Sequence, residues 1–422
     1  VLDAPSAILN GVGFDVSASG FYDDAELELR INDQVVHSEN GRSFVAEDIV
    51  VNDSKRAVIS LYRNGVKERE ADVPVLPGWV SLLPPLFAIL LAFLTRSVIP
   101  SLFAGLFVGA WAVNGMTLDG VVIGFFETVT VYIINAATNP DNMAIVTFTL
   151  LIGGMVGIIS RNGGMIGAVN SVLHLASTPA RAQQVVAFLG LGIFFDDYAN
   201  TMIVGNATRP MTDSMRVSRE KLAYIVDSTA APVSTVAIIT TWIGFQLGLI
   251  DSAISDIPEI TDSSYALFLQ SIPYSFYPFL AIFLVFLIVF TGRDFGPMYH
   301  AERRARETGA VKRSDTEERV DTSADEFSEK EGIRCRAMNA LIPIGTMVLT
   351  VIIGLMISGE GETLTEVIGS ANSYVVLIWA SLLSCFVAAG LTLGQRLLTL
   401  DETVEAFLMG LRFMLTGALL LV

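Results

Sequence analysis

The chain has 422 residues, of which 52% are hydrophobic and only 16% are charged, whereas an ordinary soluble domain carries about 25% charged residues. Its formal net charge is −17, which argues against nucleic acid as a partner because there is no basic stripe to neutralise phosphate. Cys335 and Cys385 lie in different surroundings and the three histidines are scattered, so we expect no disulfide, no zinc cluster and no cofactor.

Residues 1–76 differ from everything that follows them. Apolar and charged residues alternate over 26–31, which is the period of a half-buried strand, and a second strand at 58–62 is closed by an Asn64-Gly65 turn. The pattern predicts a small antiparallel β-sandwich domain, which we place on the extracytoplasmic side. Because no signal segment precedes it, we expect that the chain either follows a removed signal or is a fragment.

Long apolar runs follow this domain, and a membrane-spanning helix needs roughly 20 apolar residues. A soluble core cannot hide that much continuous apolar surface. The sequence therefore predicts an all-α polytopic membrane protein embedded in the lipid bilayer. The candidate spans are 78–95, 97–115, 143–159, 222–250, 273–291, 339–358, 372–390 and 404–422.

Loop charge predicts the orientation of these spans, because cytoplasmic loops carry an excess of Lys and Arg. The loop 292–338 carries ten basic residues and should be a cytoplasmic charged linker, whereas 251–272 and 359–371 have acidic residues only and should face outside. The linker separates a first transmembrane repeat, 77–291, from the start of a second, 339–422.

Upstream of the linker, the loop charges do not place successive spans on alternating sides of the membrane. Two apolar stretches, 121–138 and 143–159, lie between Asp119, which should be outside, and Arg161, which should be inside. One of the two must fail to cross, and we favour 121–138 because it carries Glu127.

The stretch 182–208 lies between Arg181 and Arg209, so both of its ends favour the cytoplasm. About 27 residues give two helical arms of roughly 20 Å, enough to pass the midplane and return. We predict a re-entrant hairpin with residues 195–200 near its tip. The alternative is a single kinked span with one misplaced arginine.

A short sequence pattern occurs twice. Thr117-Leu118-Asp119 recurs as Thr399-Leu400-Asp401, and loop charge places the first copy outside and the second inside. A pattern with opposite orientations predicts inverted-topology repeats, which many secondary transporters contain, although a match this short also arises by chance. If the repeat is real, the partner of the hairpin lies beyond residue 422 and the chain is truncated.

Two consecutive carboxylates, Asp196 and Asp197, fall at the predicted tip of the hairpin. An ionisable group at membrane depth is costly and is therefore a functional candidate. Neighbouring carboxylates raise each other's affinity for protons, and a bound cation relieves the same repulsion. The pair is thus a candidate proton and cation site. In the alternative interpretation, one Asp caps a broken helix and the other pairs with an arginine.

Asp227-Ser228-Thr229 is the second candidate cluster, because Pro232 frees a backbone carbonyl about one turn earlier. A carboxylate, hydroxyls and freed carbonyls are hard oxygen ligands suited to a small cation, so we expect Na⁺ at Asp196, Asp197 and Asp227. Asn200 and Thr201 add neutral oxygens. The alternative is a proline kink in which the hydroxyls bond to the preceding turn.

Other features have simpler interpretations. The pairs Gly105/Gly109, Gly153/Gly157 and Gly244/Gly248 predict close helix contacts. Trp242 is interpreted as a packing residue. The run 301–336 alternates in charge and predicts an exposed, partly disordered linker.

At the same residues the sequence resembles the NhaC-type sodium/proton antiporter family. The resemblance covers 80–300 well and 339–422 loosely, and it leaves the β-domain outside. It rests on Phe194-Phe195-Asp196-Asp197-Tyr198-Ala199-Asn200-Thr201, on Arg209-Pro210-Met211-Thr212-Asp213, on 218–232, on Trp242-Ile243-Gly244-Phe245 and on 293–298. It implies an ion-transporter fold with paired hairpins and exchange of Na⁺ or Li⁺ for H⁺, while some relatives exchange organic acids or move amino acids.

We therefore expect a secondary transporter, not an enzyme, that exchanges small cations for protons across the cytoplasmic (inner) membrane. A homo-oligomer is compatible with the sequence. Two rivals are a Na⁺- or H⁺-coupled organic-acid or amino-acid exchanger and a membrane-anchored sensor whose β-domain binds a ligand. Carboxylates at membrane depth count against the sensor, because an anchor gains nothing from them.

Overall fold

The computed structural model describes residues 2–19, 25–52, 55–254, 257, 260, 262–313, 329–361, 367–368 and 370–420. The acidic positions Asp256, Glu259, Glu362 and Glu366 of the predicted outer loops lie outside the described residues, as do 314–328 of the linker and the last two residues. The chain forms two compact units, Val1–Thr138 and Asn139–Val422.

The described residues of the first unit begin with eight strands in two sheets. They are β1 Leu2–Asp3, β2 Ile8–Leu9, β3 Gly13–Ala18, β4 Ala25–Ile31, β5 Gln34–Gly41, β6 Phe44–Val50, β7 Arg56–Arg63 and β8 Val66–Leu76. The sheet orders are β1-β3-β6 and β2-β8-β7-β4-β5. Buried side chains of both sheets, such as Val16 and Leu29, share one apolar core.

The predicted hairpin is present between β7 and β8. Asn64 and Gly65 have φ of 49° and 77°, the left-handed conformations that a tight hairpin turn of this type requires. Alternate residues of β4, among them Leu27 and Leu29, are buried, as the period of two predicts. One detail differs: β2 pairs with β8 in parallel, so the domain is mixed and not wholly antiparallel.

Helices α1 to α4 belong to the same compact unit as these strands. They span Leu83–Thr95, Val98–Val113, Leu118–Glu127 and Ile134–Thr138, with a π-helical segment at Thr128–Ile133. α1 and α2 approach closely, because a Cβ on Gly105 would lie 2.8 Å from Ala88 Cβ. The predicted small-residue contact at Gly105 is therefore confirmed.

The second unit is helical. Its elements are α5 Pro140–Arg161, α6 Gly164–Leu173, α7 Pro179–Gly192, α8 Asp197–Ser214, α9 Arg219–Val236, α10 Thr241–Ile254, α11 Ser264–Ser271, α12 Phe276–Thr291, α13 Gly296–Thr308, α14 Met338–Ser358, α15 Ser373–Gly394 and α16 Leu400–Leu420.

Six helices of the described residues are long and apolar enough to cross a membrane, or seven if a bent pair counts as one span. The six are Gly78–Thr95, Leu118–Thr138, Pro140–Arg161, Phe276–Thr308, Met338–Ser358 and Ser373–Gly394, and the bent pair is α9 with α10, at 45°. The stretches 121–138 and 143–159 both lie in such helices, so helix length does not separate them. That 121–138 fails to cross stays a prediction.

Both copies of the Thr-Leu-Asp pattern begin a helix. Thr117 Oγ1 accepts from Gly120 N at 3.0 Å at the start of α3. Thr399 Oγ1 accepts from Glu402 N at 3.2 Å, and Glu402 Oε2 accepts from Thr399 N at 2.8 Å, which completes a capping box. Lys330 and this backbone bond lower the pKa of Glu402 to about 2. Both copies thus begin a helix with a threonine cap, and the inverted orientation stays a prediction.

The linker prediction is wrong for its first residues. Residues 301–308 belong to α13, in which Ala301, Glu302 and Ala305 are buried. A segment with alternating charges stays exposed only if no other part of the protein packs against it. Here Glu302 faces Ser218, which precedes α9.

Helices α5 and α16 make a very close contact through glycines. A Cβ on Gly157 would overlap the carbonyl oxygen of Ala406, and one on Gly410 would overlap that of Gly153. The backbones approach this closely only because these positions lack side chains, so the small-residue interpretation of Gly153/Gly157 is confirmed.

Replacing Gly157 by Ala should destabilise the protein. The new methyl group meets backbone, which cannot rotate away, and overpacking of this kind costs about 1–3 kcal/mol. The matched control is Gly390→Ala in α15, where nothing lies within 4 Å of the added atom and helix propensity favours Ala. Thermal unfolding in detergent should show a lower midpoint for Gly157→Ala only. Equal midpoints would contradict the backbone contact.

Candidate cation site

Two helix breaks meet inside the second unit. Residues 193–196 separate α7 from α8, and residues 237–240 separate α9 from α10. The breaks are joined by Thr241 N, which donates to Phe195 O at 3.0 Å, and by Ser234 Oγ, which donates to Phe194 O at 3.1 Å. Broken helices expose backbone dipoles, and such crossings are where ion sites form in membrane transporters.

Asp196 occupies the buried side of the first break. Its side chain caps α8 by accepting from Ala199 N at 2.7 Å, and its other oxygen accepts from Thr241 Oγ1 at 2.8 Å. The residue is only 1% exposed. A carboxylate is stabilised there by the positive end of a helix and by charge-assisted hydrogen bonds, so the structure holds a charge-bearing group in the interior. Asp196 thus does cap a broken helix, as one interpretation of the sequence predicted.

Asp197 points to a different partner. Its Oδ1 accepts from the indole Nε1 of Trp242 at 2.9 Å, and the residue is half-buried. The interpretation of Trp242 as a packing residue did not include this bond, in which the indole donates to a carboxylate. Among the described residues, no arginine pairs with Asp197, so the arginine partner of the alternative interpretation is not observed.

Asn200 has a buried oxygen that is not satisfied within the described residues. Its Nδ2 donates to Gly190 O at 2.7 Å and to Ile193 O at 2.9 Å. Both neighbours are carbonyl acceptors, which fixes the orientation of the amide. Its Oδ1 is buried and has no hydrogen-bond partner. A buried oxygen of this kind accepts a hydrogen bond from a donor or coordinates a cation.

Thr229 is buried beside the same loop. Its Oγ1 donates to Ile225 O at 2.7 Å, the bond to the preceding turn that the proline-kink alternative predicted. A Cβ on Gly190 would overlap Thr229 Oγ1, so the close approach of α7 and α9 brings this hydroxyl next to the carbonyl that Asn200 binds. Ser228 is half-buried on the neighbouring position.

Asp227 and Thr201 belong to a second location. Both are exposed, and both line a cleft of about 700 Å³ with Asn206, Arg209 and other residues of α8, α9 and α16. The predicted residues therefore divide into a buried group at the first break and an open group in the cleft.

Sequence reasoning missed the second break. Thr240 Oγ1 donates to Ser234 O at 2.9 Å and accepts from Ile243 N at 3.2 Å, so it caps α10. The Thr240-Thr241 pair before an apolar run is a helix-start signal, and it could have divided the predicted span 222–250 in two.

A set of polar contacts anchors the N-terminus of α9. Lys221 forms an ion pair with Asp294, and their side chains are 1% and 6% exposed. The buried Glu302 accepts from Ser218 N and Oγ at 2.7 Å. These contacts join α9, which carries Asp227 and Thr229, to the segment after α12 and to α13.

Residues 234–422 match the model of the Na⁺/H⁺ antiporter family. A protein of Haemophilus influenzae, described as an uncharacterized protein, is 26% identical over 348 residues, which is 80% of this chain and 64% of that protein. The chain therefore spans less than two thirds of this relative. No solved structure matches the chain.

The family match and the span-capable helices of the described residues support a multi-pass membrane protein. The matched segment includes Ser234, Thr240, Thr241 and Trp242 of the second break. Asp196, Asp197, Asn200 and Asp227 precede it.

Proposed function

We propose that the protein is an NhaC-type antiporter that exchanges Na⁺ or Li⁺ for H⁺ across the cytoplasmic membrane. The observation that carries the proposal is the buried carboxylate of Asp196 at a crossing of two helix breaks, in a chain whose residues 234–422 match the Na⁺/H⁺ antiporter family. In this proposal α7 and α8 are the arms of the re-entrant hairpin, and the β-domain is extracytoplasmic.

Competition between a proton and a cation would drive the exchange. Asp196 and Asp197 are consecutive, so a second negative charge next to the first is unfavourable unless a proton or a cation neutralises it. The unpartnered Oδ1 of Asn200 offers a neutral oxygen near this loop. Oxygen ligands suit Na⁺ and Li⁺, which are small hard cations.

The open group would act before the buried one. Asp227 and Thr201 line the cleft together with Arg209 and Arg219, and the Asp227 carboxylate offers a cation an oxygen ligand there. Ser228 and Thr229 follow Asp227 along α9 toward the interior. We therefore assign Asp227 to cation capture and the Asp196–Asp197 pair to the exchange itself.

An organic-acid or amino-acid exchanger is the second candidate, and one observation favours it. The cleft that contains Asp227 also contains Arg209, and its volume falls within the range of small-molecule sites. The Asp227 carboxylate and the Arg209 guanidinium would together suit a zwitterionic substrate, which carries both charges.

Transport by the purified full-length protein in proteoliposomes tests the proposal. With a pH-sensitive dye inside, Na⁺ or Li⁺ added outside should cause proton efflux, and choline chloride, as the control, should not. Separate additions of K⁺, of labelled amino acids and of organic acids distinguish the candidates. Uptake of a labelled acid with no Na⁺-driven proton movement would overturn the antiporter proposal.

A further inference from the structure

Three consecutive residues where the first break meets α8 are bonded to the first two residues of α10. Phe195 O accepts from Thr241 N at 3.0 Å, Asp196 Oδ1 accepts from Thr241 Oγ1 at 2.8 Å, and Asp197 Oδ1 accepts from Trp242 Nε1 at 2.9 Å. Both carboxylates of the proposed site are thus held by the first turn of α10, about 45 residues away in sequence.

The first turn of α10 is itself fixed in place. Thr240 Oγ1 donates to Ser234 O and accepts from the backbone N of Trp242 at 3.2 Å. The backbone of Trp242 is therefore tied to the end of α9. An indole N–H can only donate a hydrogen bond. Because the backbone that carries this indole is fixed, its N–H orients the carboxylate that accepts from it.

We propose that Trp242 is a positioning residue for the Asp197 carboxylate, and that Thr241 has the same role for Asp196. The proposal rests on the proposed cation exchange at this pair. It makes the start of α10 the element that holds the two carboxylates in place for the cation.

The effect on cation binding comes from pre-ordering of the carboxylate. A hydrogen bond to a carboxylate is roughly twice as strong as one to a neutral acceptor, so the indole holds Asp197 in one orientation. A bound cation leaves the carboxylate ionised, so this bond persists and the side chain does not have to be ordered when the cation binds. Trp242 also reports the binding, because a cation beside Asp197 changes the surroundings of the indole N–H.

Transport kinetics provide the first test. Trp242→Phe keeps an aromatic ring and removes the donor, and it should raise the half-saturating Na⁺ concentration about tenfold, the loss of one hydrogen bond to a charged group, with little change in maximal rate. Thr241→Val should act in the same direction, and Thr241→Ser, which retains the hydroxyl, should restore the wild-type value.

The matched control is Trp111→Phe. Trp111 Nε1 donates to Thr117 O at 2.9 Å, so this change also removes an indole hydrogen bond but leaves the carboxylates alone. It should leave the half-saturating concentration unchanged. Wild-type values for both Trp242→Phe and Thr241→Val would overturn the proposal, as would failure of Thr241→Ser to restore affinity.

Fluorescence gives a second test that does not require transport. In the 422-residue chain with Trp79, Trp111 and Trp379 replaced by Phe, tryptophan emission comes from Trp242, and NaCl should change it whereas choline chloride should not. The change should vanish in an added Asp197→Asn variant. If emission does not change with Na⁺ although the same protein exchanges Na⁺ for H⁺, this inference alone is overturned. Absent exchange with a Na⁺-dependent emission change overturns only the proposed function.

Discussion

Asp196→Asn should reduce Na⁺/H⁺ exchange to the level of empty liposomes while the protein still folds. Asn is as good a helix cap as Asp, so its oxygen can accept from Ala199 N. Its NH₂ group takes the place of the second oxygen and can donate to Thr241 Oγ1, because a hydroxyl also accepts. The substitution removes the charge that would bind a proton or a cation and nearly preserves the shape. Dye-monitored exchange in proteoliposomes measures the loss, and the thermal midpoint measures folding.

The control for this substitution is Asp401→Asn. Asp401 also lies in the first turn of a helix, α16, but it is exposed, so exchange should continue at the wild-type rate. Asp197→Asn should behave like Asp196→Asn. If both hairpin variants exchange Na⁺ for H⁺ normally, the site is misassigned, and Asp227 is the residue to test next.

Lys221→Met should destabilise the protein by about 3–5 kcal/mol, the usual result of leaving a buried charge without its partner. Lys221 and Asp294 are both almost fully buried, so water cannot replace the missing ammonium group. The double variant Lys221→Met/Asp294→Leu should recover most of the loss, because it leaves no charge behind. Thermal or denaturant unfolding in detergent measures the stability of the wild type, of Lys221→Met and of the double variant.

An exposed ion pair of the same unit provides the comparison. Arg303 and Glu307 are 2.8 Å apart on α13, with side chains 58% and 60% exposed. Such pairs are worth about 0.3–0.5 kcal/mol, so Arg303→Met should shift the midpoint only slightly. Equal shifts for Lys221→Met and Arg303→Met would show that the Lys221–Asp294 pair is solvated.

Local patterns in the sequence predicted the elements. The alternation at 26–31 and the Asn64-Gly65 turn predicted strands and a hairpin that are present, because strand period and turn geometry depend on neighbouring residues. The apolar runs predicted most of the span-capable helices for the same reason. The glycine pair on α5 predicted a close contact, although it did not predict α16 as the partner.

The sequence by itself determined that Asp196 and Asp197 are adjacent and that they follow an apolar arm. Only the tertiary structure decided what each carboxylate contacts: Thr241 and Trp242 bind them across about 45 residues. It also separated Asp227 in the open cleft from Asp196 in the interior. Helix ends follow from capping and proline, which act within a few residues. The hydrogen-bond partners of Asp196 and Asp197 depend instead on how the broken helices cross. Packing over the whole unit sets that crossing.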